Sequence, residues 1–297
     1  MVECRECAWV PKCTQCDVSL TYHKRDNRLV CHYCGYSCEI PHTCPACKQP
    51  SIEVRGFGTE RIEEDVENLF PEVSMARMDM DTTRSRNAYQ EIIDDFASGK
   101  NKILVGTQMV TKGLDFDRVS VVGILSADTM LSFPDFRAHE RAFQMMAQVA
   151  GRSGRGKSKG VVLLQTAQPE LPIVGQVIRH DYVGMYHDQM EQRKTYGYPP
   201  YTRLIYIYLK HRDEAMLDTL SQRYATLLRK VFGERVLGPD NPPVARIQSL
   251  YIRKIMLKVE VTAPMSQVKD LLRQIYERSL ADERFKSLTL YYDVDPM

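Results

Sequence analysis

The chain has no run of 18 apolar residues, and its N-terminus lacks the basic, apolar and small-residue succession of a secretory leader. A spanning helix needs about 20 apolar residues and export needs the leader, so a soluble chain with no membrane partner is expected. Strong charge of either sign is missing too. The formal net charge is +2 over 297 residues, divided as +1 for 1–50, −3 for 51–183 and +4 for 184–297. Without a polybasic tail, any nucleic-acid contact has to come from local clusters. With 43% hydrophobic residues, the chain can build two domains with ordinary cores.

Cysteine is what the chain has in quantity. Eight of nine fall in C-x-x-C pairs: Cys4/Cys7, Cys13/Cys16, Cys31/Cys34 and Cys44/Cys47. That pattern indicates a metal-binding protein of the cytoplasm rather than a secreted disulfide scaffold. Two intervening residues let both sulfurs converge from one tight turn, and two such turns complete the tetrahedral thiolate shell of structural zinc. Cys13/Cys16 and Cys31/Cys34 read as an inner ribbon with the outer pairs forming a second site, although the spacing equally permits sequential pairing. An iron–sulfur cluster would use the same thiolates. His23, His32 and His42 could ligate, yet four full pairs leave them unnecessary, and Cys38 has no partner. Eight sulfurs closing two shells leave no open position for catalysis. Residues 1–50 are too few and too polar to fold by apolar burial, so metal must supply much of their folding energy. Tyr22, His23, Lys24, Arg25 and Arg28 form a basic–aromatic cluster that could stack on bases or stand solvated at a hairpin tip.

Hydrophobic periodicity over 51–183 predicts strands at 53–57, 73–78, 103–106, 119–125 and 160–166. It predicts helices at 59–69, with Thr59 as N-cap, and at 83–97 and 138–149. Such alternation argues an α/β lobe with a parallel sheet, whose function gathers at the carboxyl ends of its strands. Gly151-Arg152-Ser153-Gly154-Arg155 follows the last of these helices. Glycine allows close backbone approach, and the two guanidinium forks suit phosphate oxygens. Gly151 to Ser158 also fits the phosphate-loop pattern G-x4-G-K-[ST]. A working loop of that kind follows a strand and opens a helix, and here the order is reversed.

Gly106-Thr107-Gln108 with Thr111-Lys112-Gly113-Leu114-Asp115 resembles motif V of superfamily 2 helicases, and Gln148-Val149-Ala150-Gly151-Arg152-Ser153-Gly154-Arg155 resembles their motif VI. Pro134 to Arg141, the cysteine block and Asp293-Val294-Asp295-Pro296 extend the likeness over nearly the whole chain. They make it similar to the PriA family of replication-restart helicases, also known as primosomal protein N′. The resemblance implies a RecA-like helicase C-terminal lobe with an inserted zinc-ribbon module and a small α+β, S10-like, C-terminal domain. Domains are expected at 1–50, 51–183 and 184–297. It further implies nested zinc pairing, Cys4/Cys7/Cys44/Cys47 around Cys13/Cys16/Cys31/Cys34, with two structural zinc ions, and ATP with Mg²⁺ in the intact enzyme.

By the same resemblance Arg155 is the arginine finger, Arg152 a second phosphate contact and Gln148 a nucleotide-sensing partner. Gly113 and Asp115 lie at the nucleotide, and Thr107, Gln108 and Lys112 couple to the DNA backbone. Asp128 and the segment from Pro134 to Arg141 are diagnostic of the family, the pairs Asp135/Arg137 and Glu140/Arg141 bracing a loop. The implied activity is that of an ATP-dependent 3′-to-5′ DNA helicase, monomeric and nucleoid-associated in bacteria, which recognises stalled or abandoned forks and restarts replication. Its implied partners are branched fork DNA, single-stranded DNA, the single-strand-binding protein and primosome proteins. No other phosphate loop and no DExH-like box follows an apolar strand. The chain is therefore expected to be half a motor, truncated at Met1 and inactive alone.

Past a predicted helix at 171–194, strands are expected at 203–209, 252–261 and 288–294 and helices at 214–232 and 266–280, with a Gly/Pro-rich connection at 238–243. Arg246, Tyr251, Arg253, Lys254 and Lys258 form a basic patch interleaved with aromatics, suited to phosphate and base contacts or to a solvated strand face. Lys269 and Arg273 are weaker candidates. The rival readings are a non-catalytic zinc-ribbon adaptor and an RNA helicase of the same superfamily.

Overall fold

The computed structural model describes residues 2–23, 26–54, 58–80, 82–83, 85–107, 110, 116, 118–151 and 160–296. They form two compact units, Met1–Arg55 with Gln192–Met297 and Gly56–Glu191. Among the described residues no helix is long and apolar enough to cross a membrane.

The first unit opens with the cysteine-rich module. Strand β1 (Val2–Cys4) is followed by β2 (Thr21–His23), β3 (Arg28–Val30) and β4 (Ser37–Glu39), a three-stranded antiparallel sheet. Strand β5 (Ile52–Val54) returns antiparallel to β1, with Val2 opposite Val54. Val2, Leu20 and Leu29 are buried among Cys13, Cys16 and Cys31. So small an apolar set cannot hold 50 residues together unaided.

The second unit alternates helices and strands. Helix α1 (Thr59–Leu69), β6 (Met75–Met78), α2 (Arg86–Ala97) and β7 (Ile103–Gly106) precede β8 (Val121–Ile124), α3 (Asp128–Leu131) and α4 (Ala138–Ala150). Strand β9 (Val161–Leu164), α5 (Pro172–Ile178) and α6 (Tyr182–Tyr196) follow. β6 pairs in parallel with β7, and β8 with β9. Phe143 and Met146 of α4 meet Ile173, Val174 and Val177 of α5 in the main core.

Three local expectations change. Gly58, not Thr59, caps α1, and the Thr59 hydroxyl donates instead to Asp79 Oδ2 at 2.5 Å. Helix α2 starts three residues late because Ser85 Oγ accepts the Ala88 N–H, while Thr83 is engaged by the Asp79 carbonyl. The single helix expected at 171–194 is two. His180 sits in left-handed backbone at φ 55°, and Asp181 Oδ1 accepts the Gly184 N–H at 2.8 Å to start α6.

The C-terminal part comprises β10 (Thr202–His211), α7 (Glu214–Phe232), β11 (Val236–Asp240), β12 (Arg246–Ile247), β13 (Leu250–Glu260), α8 (Met265–Ser279) and β14 (Thr289–Val294). The antiparallel sheet runs β11-β13-β10-β14, with β12 against β13. Alternation along the strands turns Ile205, Ile207 and Leu209, with Ile255, Leu257 and Val259, onto Leu217, Leu220, Tyr224 and Leu228 of α7 and Leu272 of α8. Each such buried side chain contributes about 1.5–3 kcal/mol. Both helices therefore cover one face. β11 lies partly in the stretch expected to be a connection. Gly238 allows it: its φ is 93°, and a Cβ there would stand 2.8 Å from the Lys254 carbonyl oxygen. The strand consequently bulges between Leu237 and Asp240.

Candidate metal centres and helicase-lobe site

The eight paired cysteines gather into two groups, Cys4/Cys7/Cys44/Cys47 and Cys13/Cys16/Cys31/Cys34, each with its sulfurs within 4.8 Å of one another. This is the nested grouping. Sulfur–sulfur distances are 3.5 Å for Cys4–Cys47, 3.7 Å for Cys7–Cys44 and 3.6 Å for Cys13–Cys34. A tetrahedral zinc with 2.3 Å bonds sets its sulfurs about 3.8 Å apart, so both donor sets fit zinc. Crowding also separates the thiol pKa values. Backbone N–H donation from Gln49 favours the Cys47 thiolate, but burial and hydrogen bonds with Cys4, Cys7 and Cys44 push it up to about 12. Burial raises Cys44 and Cys31, yet amide donors and neighbouring thiols bring each down to about 7. Four thiolates in one shell require a cation among them.

The turns that carry these pairs share one hydrogen-bond scheme. The first cysteine donates its N–H to the carbonyl five residues on: Cys4 to Trp9, Cys13 to Val18, Cys31 to Tyr36 and Cys44 to Gln49, at 2.8–2.9 Å. In three of them the residue four on then donates back to that cysteine's carbonyl at 2.9 Å: Ala8 to Cys4, Gly35 to Cys31 and Lys48 to Cys44. Those three have φ of 56°, 76° and 63°. At the Cys13 turn the corresponding Asp17 N–H goes elsewhere, to the Arg246 carbonyl at 2.8 Å.

Arg246 begins the β12–β13 hairpin, whose tip completes this turn. Ser249 N–H donates to the Gln15 carbonyl at 2.8 Å, Gln248 N–H donates to Cys16 Sγ at 3.3 Å, and Ile247 packs on the module's core. Gln248 and Ser249 have φ of 50° and 62°, as a type I′ hairpin turn requires. Non-glycine residues held so cost about 1–3 kcal/mol each, and the docked amides offset that cost. Sequence reading missed Ile247, Gln248 and Ser249. The apolar pair Ile247 and Leu250 around a two-residue turn was the available signal, but Gln-Ser lacks the usual Asn or Gly.

In the second unit Thr107 follows β7, and its carbonyl accepts the Val110 N–H at 3.1 Å. Gly106 before it is tightly placed, since a Cβ would stand 2.7 Å from the Met78 carbonyl oxygen. Gln148 lies in the last turn of α4, exposed. Gln108, Lys112, Gly113, Asp115, Arg152 and Arg155 lie outside the described residues, as do Lys24 and Arg25. α4 precedes the Gly151–Ser158 stretch and β9 follows it, the order that a phosphate loop lacks.

Asp128 accepts from Thr166 Oγ1 at 2.7 Å and from the Ala167 N–H at 2.9 Å. These bonds, that of the Ala167 amide first, hold its carboxyl below the usual range and tie α3 to the end of β9. Asp135 Oδ1 accepts the Arg137 N–H at 2.8 Å, and its other oxygen pairs with Arg141 at 3.2 Å. Glu140 accepts from Gln144 at 3.3 Å.

The basic patch of the C-terminal sheet is split by strand alternation. Arg253 is 7% exposed, its guanidinium held by Asp218 at 2.6 Å and Glu214 at 3.0 Å on the helix-covered face. Lys254 is on the opposite face, 4.7 Å from the Tyr206 ring. Lys258 donates to the Tyr196 carbonyl at 2.6 Å and lies 4.0 Å from the Tyr198 ring. Arg246 lies 5.6 Å from the Tyr251 ring. Arg273 pairs with Asp270 at 3.4 Å.

Comparison with known proteins agrees with this anatomy. Residues 13–38 match the PriA DNA helicase Cys-rich region, residues 55–157 the helicase conserved C-terminal domain, and residues 194–297 the primosomal protein N C-terminal domain. The replication restart protein PriA of Bacillus subtilis is 39% identical over 297 residues, which is 99% of this chain and 36% of the relative. That of Treponema pallidum is 38% identical over 99% of this chain and 44% of the relative, and that of Haemophilus influenzae 33% over 99% and 40%. The chain thus spans less than half the length of these relatives. From the zinc-ribbon cysteines through the helicase lobe to the C-terminal sheet, it belongs to the PriA family.

Proposed function

We propose that the chain is the C-terminal portion of an ATP-dependent 3′-to-5′ DNA helicase that recognises stalled or abandoned replication forks and restarts replication by primosome assembly. What carries the reading is the succession of a helicase C-terminal domain over residues 55–157 between a PriA-type cysteine region and a PriA-type C-terminal domain. ATP and Mg²⁺ belong to a phosphate loop on a further lobe. Arg155 acts as the finger on the γ-phosphate, where such a group is worth about 10³–10⁵ in rate. Arg152 adds a phosphate contact, Gln148 reports the nucleotide state, and Gly113 and Asp115 border the nucleotide. Thr107, Gln108 and Lys112 follow the DNA backbone. Branched fork DNA, single-stranded DNA, the single-strand-binding protein and primosome proteins are the partners, and the enzyme works as a monomer in the bacterial cytoplasm. The two zinc-binding shells are structural, since each is closed by four sulfurs.

The test is Arg155→Ala in the full-length protein, with fork-stimulated ATP hydrolysis and fork binding measured side by side. Turnover is expected to fall at least a thousandfold while binding stays within about twofold. Undiminished hydrolysis would remove Arg155 from the role.

A further inference from the structure

The face of the C-terminal sheet turned away from α7 and α8 has a composition of its own. Alternation places Tyr206, Tyr208 and Lys210 of β10 on it, with Lys254 and Met256 of β13 and Tyr291 and Asp293 of β14. Register sets Tyr208 between Lys254 and Tyr291, and Tyr206 between Met256 and Asp293. The Tyr208 and Tyr291 rings stack with centroids 5.0 Å apart and planes 20° apart. Tyr206 stands edge-on to Tyr208 at 6.3 Å. Lys254 is 4.7 Å from the Tyr206 ring and Lys210 is 4.8 Å from the Tyr291 ring. All three tyrosines are partly accessible, Tyr291 at 40%. The acids of this face, Asp240 opposite Lys254 and Asp293 opposite Tyr206, are on the two outermost strands. The two central strands carry Tyr206, Tyr208, Lys210 and Lys254 between the buried Leu204 and Ile252, and Tyr291 stands beside them on β14.

We infer that this face is a platform for an unpaired DNA strand, with bases stacking on Tyr206, Tyr208 and Tyr291 and phosphates beside Lys210 and Lys254. A face built to dock a protein would centre on aliphatic side chains with few charges. Rings flanked by ammonium groups instead satisfy both halves of a nucleotide, π-face to base and cation to phosphate. Four-stranded sheets covered by helices on one side receive two or three splayed bases in this manner. Alternate residues of a strand are about 6.6 Å apart, so neighbouring rings can take successive bases. A duplex hides its base faces and could use only the lysines. The choice of DNA over RNA rests on the helicase reading, whereas the stacking chemistry comes from the face itself.

The experiment is fluorescence anisotropy of this chain, zinc-loaded, with a labelled 15-nucleotide oligothymidylate and, in parallel, a blunt duplex. Tyr208→Ala is expected to weaken oligothymidylate binding about tenfold, and Tyr208→Ala with Tyr291→Ala about a hundredfold. Tyr208→Phe, which keeps the ring, should stay within about twofold. Lys254→Ala should lower the slope of log K against log salt by about 0.7. Duplex binding should not respond to the tyrosine changes. Zinc content and thermal midpoint confirm that each variant is folded. Oligothymidylate binding that ignores the double tyrosine change overturns the platform and leaves the helicase reading untouched, since that reading stands on Arg155 and ATP turnover. No binding of either DNA overturns the platform as well. Tighter binding of oligouridylate than of oligothymidylate overturns its assignment to DNA.

Discussion

In the outer cluster the turns at Cys4 and Cys44 are each closed by their own residue four on, Ala8 and Lys48, in left-handed backbone. In the inner cluster the Cys31 turn does the same through Gly35, whereas the Cys13 turn takes its closing contacts from Arg246, Gln248 and Ser249. Both shells have equal ligand chemistry and similar sulfur spacing, so ligand count cannot tell them apart. The difference lies in the amides around the sulfurs, which orient ligands and tune the metal. The outer centre organises its own 50-residue module. The inner one also fastens that module to the C-terminal sheet.

The largest test of that contrast removes one ligand from each shell. Cys13→Ser and Cys44→Ser should each lower zinc from two ions per chain to one, because a structural zinc contributes roughly 10–16 kcal/mol to folding its site. Only Cys13→Ser should release the hairpin, seen as at least hundredfold faster hydrogen exchange at the amides of Asp17, Gln248 and Ser249. Equal release by both variants would erase the distinction. A milder test leaves every ligand in place. In Ser249→Pro the ring fixes φ near −65°, against 62° here, and the donor to the Gln15 carbonyl is lost. Stability should drop by about 3 kcal/mol with two zincs retained, and a chelator should then strip the inner ion faster than the outer one.

The smallest effect is expected at a residue outside both centres, as a control. Hydrogen bonding from Arg284 holds Asp282 down at about 2, below the unfolded value of about 3.9. Its contribution is complete above that unfolded value and is lost as pH falls through about 2. Asp282→Asn should therefore flatten the acid limb of the stability curve between about pH 4 and 2 and leave zinc content unchanged.

Elements with a strong local rule were legible in the sequence. Helices α1 and α7 and strand β7 were expected at their observed bounds, since an amphipathic period or an apolar run between turn residues states its own limits. The Cys grouping followed from pair spacing and family likeness together. What escaped depends on partners distant in sequence or on a backbone state that composition does not announce. The break between α5 and α6 hangs on the left-handed His180, and β11 hides behind Gly238 and Pro239. Arg253 and Lys254 are neighbours in sequence, and strand alternation sends one to α7 and the other to the open face. Tyr206, Tyr208 and Tyr291 were passed over because their stacking needs the pairing of β10 with β14, although the alternation Tyr-x-Tyr-x-Lys was there to be read.

Cys16 and Gln248 are 232 residues apart, and a ribosome makes them in that order. The outer cluster has every turn contact it needs once Gln49 has emerged. The inner cluster has to wait for Gln248, about 200 residues or roughly 10–40 s later at ordinary elongation rates, while all of Gly56–Glu191 is made in between. During that interval Cys16 lacks its amide donor. A nascent chain of this protein therefore passes through a stage in which one centre has all its turn contacts and the other still lacks those from the hairpin, and the last strands of the sheet end that stage.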